Sequence, residues 1–167
     1  MSTQVLAKAE KGSSFGISNR YGAVTPSQVY SLLENYEKVF MTYVKTHKKS
    51  LLSKIRKVRL KPVKSMKPEQ AFVKLHQLSD AIDKLVRRVT QKPMKRVKRE
   101  KRKAIPAEVY LQAAYNLDAF VHYMNKVEPN KNWGRFYVDN VYRKNKKPSD
   151  VYALADVSLR RLMLVLK

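Results

Sequence analysis

A short pattern that begins with proline recurs four times along this chain of 167 residues. Its prolines are spaced by 42, 38 and 42 residues, and each is followed two positions later by Gln, Glu or Asp, then by a small apolar residue and an aromatic one. The copies are TPSQVY from Thr25, KPEQAF from Lys67, IPAEVY from Ile105 and KPSDVY from Lys147. Proline fits the first turn of a helix, where its missing N–H is not needed, and the acidic or amide side chain faces the positive end of the helix dipole. The pattern therefore predicts four helices that begin alike and arose by duplication.

Apolar residues at helical spacing follow each of the four starts. Counted from the residue before the repeated aromatic, offsets of 0, 4, 7, 11 and 14 place one set of side chains on a single helix face. The four sets are Val29, Leu33, Tyr36, Phe40, Tyr43; Ala71, Leu75, Leu78, Ile82, Leu85; Val109, Ala113, Asn116, Phe120, Tyr123; and Val151, Ala155, Ser158, Leu162, Val165. Where the set is polar, at Asn116 and Ser158, the next residue, Leu117 or Leu159, is predicted to take the buried place. The spacing predicts helices at residues 26–47, 68–91, 106–127 and 148–166.

Two all-α architectures satisfy this repeat. A four-helix bundle of quasi-equivalent helices would bring the four apolar faces together around one core, whereas a short α-solenoid would stack repeats of about 40 residues. We prefer the bundle, because four copies without capping repeats would leave a solenoid with exposed apolar ends. The expected organisation is a single helical domain over residues 26–167, preceded by a polar N-terminal arm, residues 1–25, that is extended or flexible.

Positive charge is concentrated between the predicted helices. The chain has 36 Lys and Arg against 13 Asp and Glu, which gives a net charge of +23. The connectors at residues 48–67, 92–105 and 128–147 carry +9, +7 and +4, whereas each predicted helix carries between −1 and +1. An excess this uneven exceeds what solubility requires, and it predicts an anionic partner such as nucleic acid, an acidic protein or an anionic membrane surface.

The connectors are too long to be featureless loops in a compact domain. In the first connector, apolar residues between Leu51 and Val58 recur at helical spacing, and no Gly or Pro interrupts residues 27–61. This predicts that the first helix continues to about residue 60. The second connector is a polar basic segment, and only Met94 and Val97 are available to anchor it to the core.

The anion-binding candidates are lysines and arginines of the first two connectors. They are Lys54, Arg56, Lys57 and Arg59 in the first connector and Lys95, Arg96, Lys98, Arg99, Lys101, Arg102 and Lys103 in the second. Each cation that neutralises a phosphate adds affinity that does not depend on nucleotide sequence; a solvated linker is the alternative interpretation. In the third connector, Trp133 and Tyr137 are candidates for stacking on bases, although rings in such a position more often fasten a connector to the core.

No motif in the chain indicates an enzyme. The sequence has no cysteine, which excludes disulfides, thiol nucleophiles and cysteine-ligated metal sites. His47, His76 and His122 lie far from one another in sequence, and the four glycines form no phosphate-binding loop. We therefore expect no catalytic residues, no metal site and no cofactor.

These features together predict a non-enzymatic, strongly basic helical module that engages nucleic acid within a larger assembly. The alternative is a structural or sensory bundle, a scaffold whose charge attaches it to an acidic protein or an anionic membrane surface. No apolar run approaches the roughly 18 residues that a membrane-spanning helix needs. No signal peptide is visible near residue 1, which favours a cytoplasmic location.

Overall fold

The structure, a computed structural model, describes residues 24–137 and 143–167, and within these ranges it contains helices and no strands. The helices are α1 (Pro26–His47), α2 (Leu52–Lys57), α3 (Pro68–Thr90), α4 (Pro106–Val127) and α5 (Pro148–Leu166). Two 3-10 turns span Lys49–Leu51 and Gly134–Tyr137. The four long helices match the predicted bounds to within one residue. The arm predicted for residues 1–25 lies outside the described residues, except for Val24 and Thr25.

Each long helix begins with the same hydrogen bond, from the backbone N–H of the residue before the proline to the side chain of the third helical residue. The bonds join Thr25 to Gln28 at 2.8 Å, Lys67 to Gln70 at 2.8 Å, Ile105 to Glu108 at 2.9 Å and Lys147 to Asp150 at 2.8 Å. Of the four starts, the first adds the reciprocal bond, from the Gln28 N–H to the Thr25 hydroxyl at 3.4 Å. The repeated motif is therefore a helix cap in which the Gln, Glu or Asp provides the acceptor.

The four long helices all run in the same direction. Pro26, Pro68, Pro106 and Pro148 line one small apolar cavity, of about 40 Å³, at a single end of the molecule. Helix α1 packs against α4 and α5, and α3 packs against the same two helices, so the order around the bundle axis is α1, α4, α3, α5. The architecture is a parallel four-helix bundle rather than a solenoid. Because a 22-residue helix is about 33 Å long, each connector must return along the outside of the bundle before the next helix begins.

The four predicted apolar faces meet in one core, and every residue of the four sets has an exposed fraction of 6% or less. The expected replacement by the following leucine is wrong for α5, where Ser158 is fully buried and Leu159 is half-buried. The Ser158 hydroxyl donates to Glu37 Oε1 at 2.5 Å, so α1 supplies the acceptor that makes burial of a polar residue tolerable. In α4, Asn116 and Leu117 are both buried.

Helix α1 ends at His47 and does not continue to residue 60 as predicted. At Lys48 the backbone leaves the helical region, with φ −136° and ψ 43°, and α-helix resumes only in α2, after the 3-10 turn at Lys49–Leu51. This break directs Ile55 into the core, where it has no exposed surface. A straight continuation of α1 would carry Ile55 beyond the end of the bundle, so burial of this side chain favours the break.

Connector 1 (residues 48–67) runs along α5 from its end to its start. The carbonyl oxygen of Val58 accepts a hydrogen bond from Arg161 Nη2 at 3.0 Å, near the end of α5. The N–H of Met66 donates to the Ser149 hydroxyl at 3.0 Å, in the first turn of the same helix. The bundle thus holds this connector by its backbone.

Connector 3 (residues 128–147) is bound near its end to the first turn of a long helix, as connector 1 is. The N–H of Lys146 donates to the hydroxyl of Ser27, in the first turn of α1, at 3.0 Å. In both connectors the residue before this donor has a positive φ, 57° at Ser65 and 60° at Asn145. The two serines occupy the same place in their helices, directly after the proline, so the structural repeat extends to the way the connectors dock.

Candidate nucleic-acid interface

Connector 2 (residues 91–105) lies without helix or strand in the groove between α3 and α4. The N–H of Met94 donates to Asp83 Oδ1 of α3 at 2.9 Å, and the N–H of Val97 donates to Gln112 Oε1 of α4 at 2.9 Å. Val97 is buried, whereas the lysines and arginines around it are exposed. The predicted anchoring by Val97 is confirmed, and the two backbone bonds hold the charged side chains outward.

A buried hydrogen-bond network supports this anchor. Gln112 Nε2 donates to the Ser79 hydroxyl at 2.9 Å, and Ser79 lies 2.5 Å from Asn116 Oδ1. Asn116 Nδ2 donates to the carbonyl oxygen of Leu75 at 3.2 Å. Because the three side chains satisfy one another, Gln112 is held with its oxygen facing the connector.

We expect Gln112→Met to loosen connector 2 without unfolding the bundle. The substitution keeps the length of the side chain but leaves the Val97 N–H without its acceptor, which costs about 1–3 kcal/mol. Hydrogen exchange measured by NMR should show the Val97 amide exchanging about tenfold faster or more. The Met94 amide, which bonds to Asp83, is the internal control and should change little; equal acceleration at both amides would contradict a local role for Gln112.

Two of the predicted cations of connector 2 are engaged within the protein. Arg96 forms ion pairs with Asp80 and, at 3.6 Å, with Asp83. Arg102 lies 2.8 Å from Glu100 and 2.7 Å from Glu108. The hydrogen bond to Glu108 is the main cause of a raised pKa at Arg102; desolvation opposes it, and the charges of Glu108 and Glu100 add to it. These two arginines fasten the connector and are therefore poor candidates for binding an external anion.

The other five predicted anion-binding residues of connector 2 are exposed and form no ion pair with any described residue. They are Lys95, Lys98, Arg99, Lys101 and Lys103. Among the described residues, the same holds for all four candidates of connector 1, which are Lys54, Arg56, Lys57 and Arg59. We call these nine residues the basic surface.

Two arginines that the sequence analysis did not single out hold connector 1 in place. Arg160 Nη2 donates to the carbonyl oxygen of Arg59 at 2.9 Å. Arg161 donates from Nε to the carbonyl oxygen of Val58 and from Nη1 to Glu37 Oε2, the latter at 2.5 Å. Both belong to α5, and they donate to carbonyl oxygens of connector 1 and to the carboxylates of Asp156 and Glu37 in the bundle. The four predicted anion-binding side chains of this connector, Lys54, Arg56, Lys57 and Arg59, therefore remain exposed to solvent.

The two parts of the basic surface lie on either side of α3. Connector 1 runs along α5, and connector 2 occupies the groove between α3 and α4, so α3 separates them over most of their length. The connectors approach each other at the start of α3, where Glu69 and Val73 line one groove with Met66 of connector 1 and another with Arg99 and Lys101 of connector 2. The candidate cations of connector 1, at residues 54–59, lie instead near the end of α5, where Arg161 binds Val58. The structure thus brings the two connectors to adjoining faces and not into one pocket.

His76 of α3 lies beneath connector 2. Its ring packs edge-on against Phe72, with centroids 4.5 Å apart, and its Nε2 is buried without a hydrogen-bond partner. Burial, followed by the charge of Arg96 and a smaller effect of Arg99, lowers the pKa of His76 below its ordinary value of 6.5, against the opposing effect of Asp80. The neutral ring is therefore the form that the folded protein favours.

This pKa shift predicts a stability that falls with acidification. Below pH 6.5 the unfolded chain takes up a proton at His76 more readily than the folded protein does. The contribution of His76 to the free energy of unfolding is therefore fully present above that pH and is lost as the pH falls towards the lower folded pKa. Thermal unfolding followed by circular dichroism at pH 7.5 and pH 5.5 should show a smaller loss in His76→Gln than in the wild type. His122→Gln, which alters an exposed histidine, is the control; equal losses in all three proteins would contradict the assignment.

The two aromatic candidates for base stacking differ in exposure. Trp133 is only 2% exposed, its Nε1–H donates to the carbonyl oxygen of Glu128 at 3.1 Å, and its ring stacks on Phe136. A ring in this position fastens connector 3 to the core and presents no free face to a base, so stacking at Trp133 is corrected to a packing role. Tyr137 is 41% exposed, and its hydroxyl donates to Asp118 Oδ1 at 2.7 Å.

The part of the chain that the structure describes contains neither a candidate metal-ligand cluster nor a helix able to span a membrane. No cluster of three or more His, Asp or Glu side chains there has the arrangement of a metal site. No helix there combines the length and apolar character needed to cross a membrane. In comparisons with known proteins, the chain matches no protein-family model, no curated protein and no solved structure.

Proposed function

We propose that this protein is a non-enzymatic module that binds nucleic acid through the basic surface, as part of a larger assembly. The observation that carries the proposal is that some of its cations are paired within the protein, whereas others are exposed and unpaired. Arg96, Arg102, Arg160 and Arg161 are engaged with acids and carbonyl oxygens that hold the connectors, whereas the nine residues of the basic surface have no acidic partner among the described residues. Unpaired cations on a fixed backbone are the feature that neutralises phosphates.

The geometry of connector 2 suits a phosphate backbone. The row from Lys95 to Lys103 is at most about 28 Å long, given the reach of an extended chain. One DNA strand presents a phosphate about every 3.4 Å along the duplex axis, so a row of this length can face several successive phosphates. Because Val97 and Met94 are fastened to the bundle, these contacts cost less ordering of the backbone than those of a free tail would.

The test is direct binding, with probes that separate nucleic acid from other anions. Fluorescence anisotropy with a labelled DNA duplex and a single-stranded RNA, each of about 20 nucleotides per strand, should give dissociation constants near or below about 1 µM at ~50 mM salt. Vesicles containing phosphatidylserine and a polyglutamate chain are the other two probes. Tighter binding to vesicles or polyglutamate than to both nucleic acids would favour the alternative of a scaffold that attaches to a membrane or an acidic protein.

Purification provides a second, independent observation. Protein isolated at low salt should carry nucleic acid, with a raised ratio of absorbance at 260 nm to that at 280 nm that falls after nuclease treatment and a high-salt wash. A ratio typical of clean protein at low salt, together with no binding to either oligonucleotide, would contradict the proposal.

A further inference from the structure

An open groove lies between the C-terminal halves of α3 and α4. Its volume is about 530 Å³, which is within the range of pockets that hold ligands. Val86 and Ala119 form part of its floor, Tyr115 lines it from α4, and Val89 of α3 remains 43% exposed at its edge. Val89 thus continues the apolar lining of the groove outward, and no described residue covers this side chain completely.

Connector 2 lacks a short helical segment that the other two connectors have. Connectors 1 and 3 each have 20 residues, and each places a short helical segment against the bundle soon after the preceding long helix ends. One apolar side chain of each segment is buried in the core, Ile55 at 0% exposed and Phe136 at 6% exposed, and Trp133, directly before the second segment, is 2% exposed. Connector 2 has 15 residues and no helical segment, and its one buried apolar side chain, Val97, lies further towards the helix starts, against Gln112. Among the described residues, the position that a short helical segment fills in connectors 1 and 3 holds no such segment in connector 2, whose residues 92–95 line the groove instead.

The rim of the groove is basic. Lys92, Lys95 and Lys126 line it and are exposed, together with the exposed His122. Asp118 is the one acid among its lining residues, and it already accepts the hydrogen bond from the Tyr137 hydroxyl. Charge complementarity therefore favours an occupant that is apolar on one side and acidic on the other.

We propose that this groove binds a short, acidic amphipathic helix of a partner protein, which supplies the segment that connector 2 lacks. Apolar side chains at helical spacing would cover Val86, Val89 and Tyr115, and carboxylates beside them would face the three lysines. The N-terminal segment of this chain does not have that chemistry, since residues 1–25 carry a net charge of +2. The site is separate from most of the basic surface, with which it shares only Lys95, so the protein would join a nucleic acid to a second protein.

The test uses a designed peptide and two matched pairs of variants. A labelled peptide of about 14 residues, with leucines at i, i+3, i+4 and i+7 spacing and glutamates elsewhere, should bind the full-length protein, and a peptide of the same composition in scrambled order should not. Val89→Glu should weaken binding by about tenfold or more, whereas Met163→Glu, at a residue of α5 that is 40% exposed, should leave it within about twofold. Lys126→Glu should also weaken binding, whereas Lys84→Glu on the outer face of α3 should not.

Several results would overturn this proposal. Equal binding of the scrambled peptide, or equal binding of a version with lysines in place of the glutamates, would show that no acidic amphipathic helix is recognised. Failure of Val89→Glu to weaken binding would place the peptide elsewhere. A dimer in sedimentation that Val89→Glu converts to a monomer would assign the groove to a second copy of this chain, and tighter peptide binding after removal of residues 1–23 would assign it to that segment. Val89→Glu should leave oligonucleotide binding unchanged, so the outcome for nucleic acid is read separately.

Discussion

Replacing Phe120 by alanine is expected to lower the free energy of unfolding by about 3–5 kcal/mol, one of the largest effects of any single substitution in this protein. Phe120 has no exposed surface and lies at the centre of an aromatic cluster. Its ring meets Tyr36 and Tyr43 edge-on, with centroids 5.4 and 5.8 Å apart, and it also contacts Phe40 and Tyr123. Alanine would leave a cavity where α1 packs against α4, and neighbouring rings cannot fill it without leaving their rotamers.

Urea denaturation followed by circular dichroism measures this effect. Met163→Ala, which removes a side chain of α5 that is 40% exposed, is the matched control and should cost less than about 1 kcal/mol. A loss below about 1 kcal/mol in Phe120→Ala would mean that the interface between α1 and α4 is not packed as described.

Reversing the charge of Lys98, Arg99 and Lys101 to glutamate is expected to weaken oligonucleotide binding by about 100-fold or more at ~100 mM salt. Each lost phosphate contact removes the favourable release of a counterion, and each new carboxylate repels the backbone. These three side chains are exposed and have no ion pair with a described residue, so the helical circular dichroism spectrum should not change. Anisotropy with the labelled duplex measures the affinity.

The matched control reverses three exposed lysines that lie on helices, Lys45, Lys84 and Lys126. Both triple variants change the net charge by the same amount. If the connectors form the binding surface, the control should lose markedly less affinity than the connector variant. Equal losses would show that binding follows net charge alone and would contradict the assignment of the surface.

The helices were predictable because their determinants are local. A proline, an acceptor two residues later and a face of apolar side chains at spacings of four and three act within a few turns, so the four starts and the buried sets could be read from the sequence. The break after His47 could not, since it depends on whether Ile55 reaches the core, which only the packed bundle decides. Burial of Ser158 likewise required knowledge that Glu37 lies opposite it.

The sequence indicated which connectors carry the candidate site, but neither their path along the bundle nor which of their cations are paired within the protein. Segregated charge identified the connectors, but a connector of about 20 residues can reach either end of a 33 Å helix, so the sequence did not decide between parallel and antiparallel neighbours. Which arginines are engaged also depends on distant acids: Asp80 lies 16 residues before Arg96. Trp133 shows the same dependence, because only the folded bundle covers its ring.

The most direct test of the account is the salt dependence of duplex DNA binding in the wild type and in the variant with Lys98, Arg99 and Lys101 replaced by glutamate. The logarithm of the binding constant should fall linearly with the logarithm of salt concentration, with a slope of about −0.9 for each phosphate neutralised. With nine cations available on the basic surface, we predict a slope of about −4 or steeper for the wild type. The variant should have a slope that is shallower by about 2 to 3. A binding constant that does not change with salt, or one whose slope is the same in both proteins, would contradict binding by the connectors.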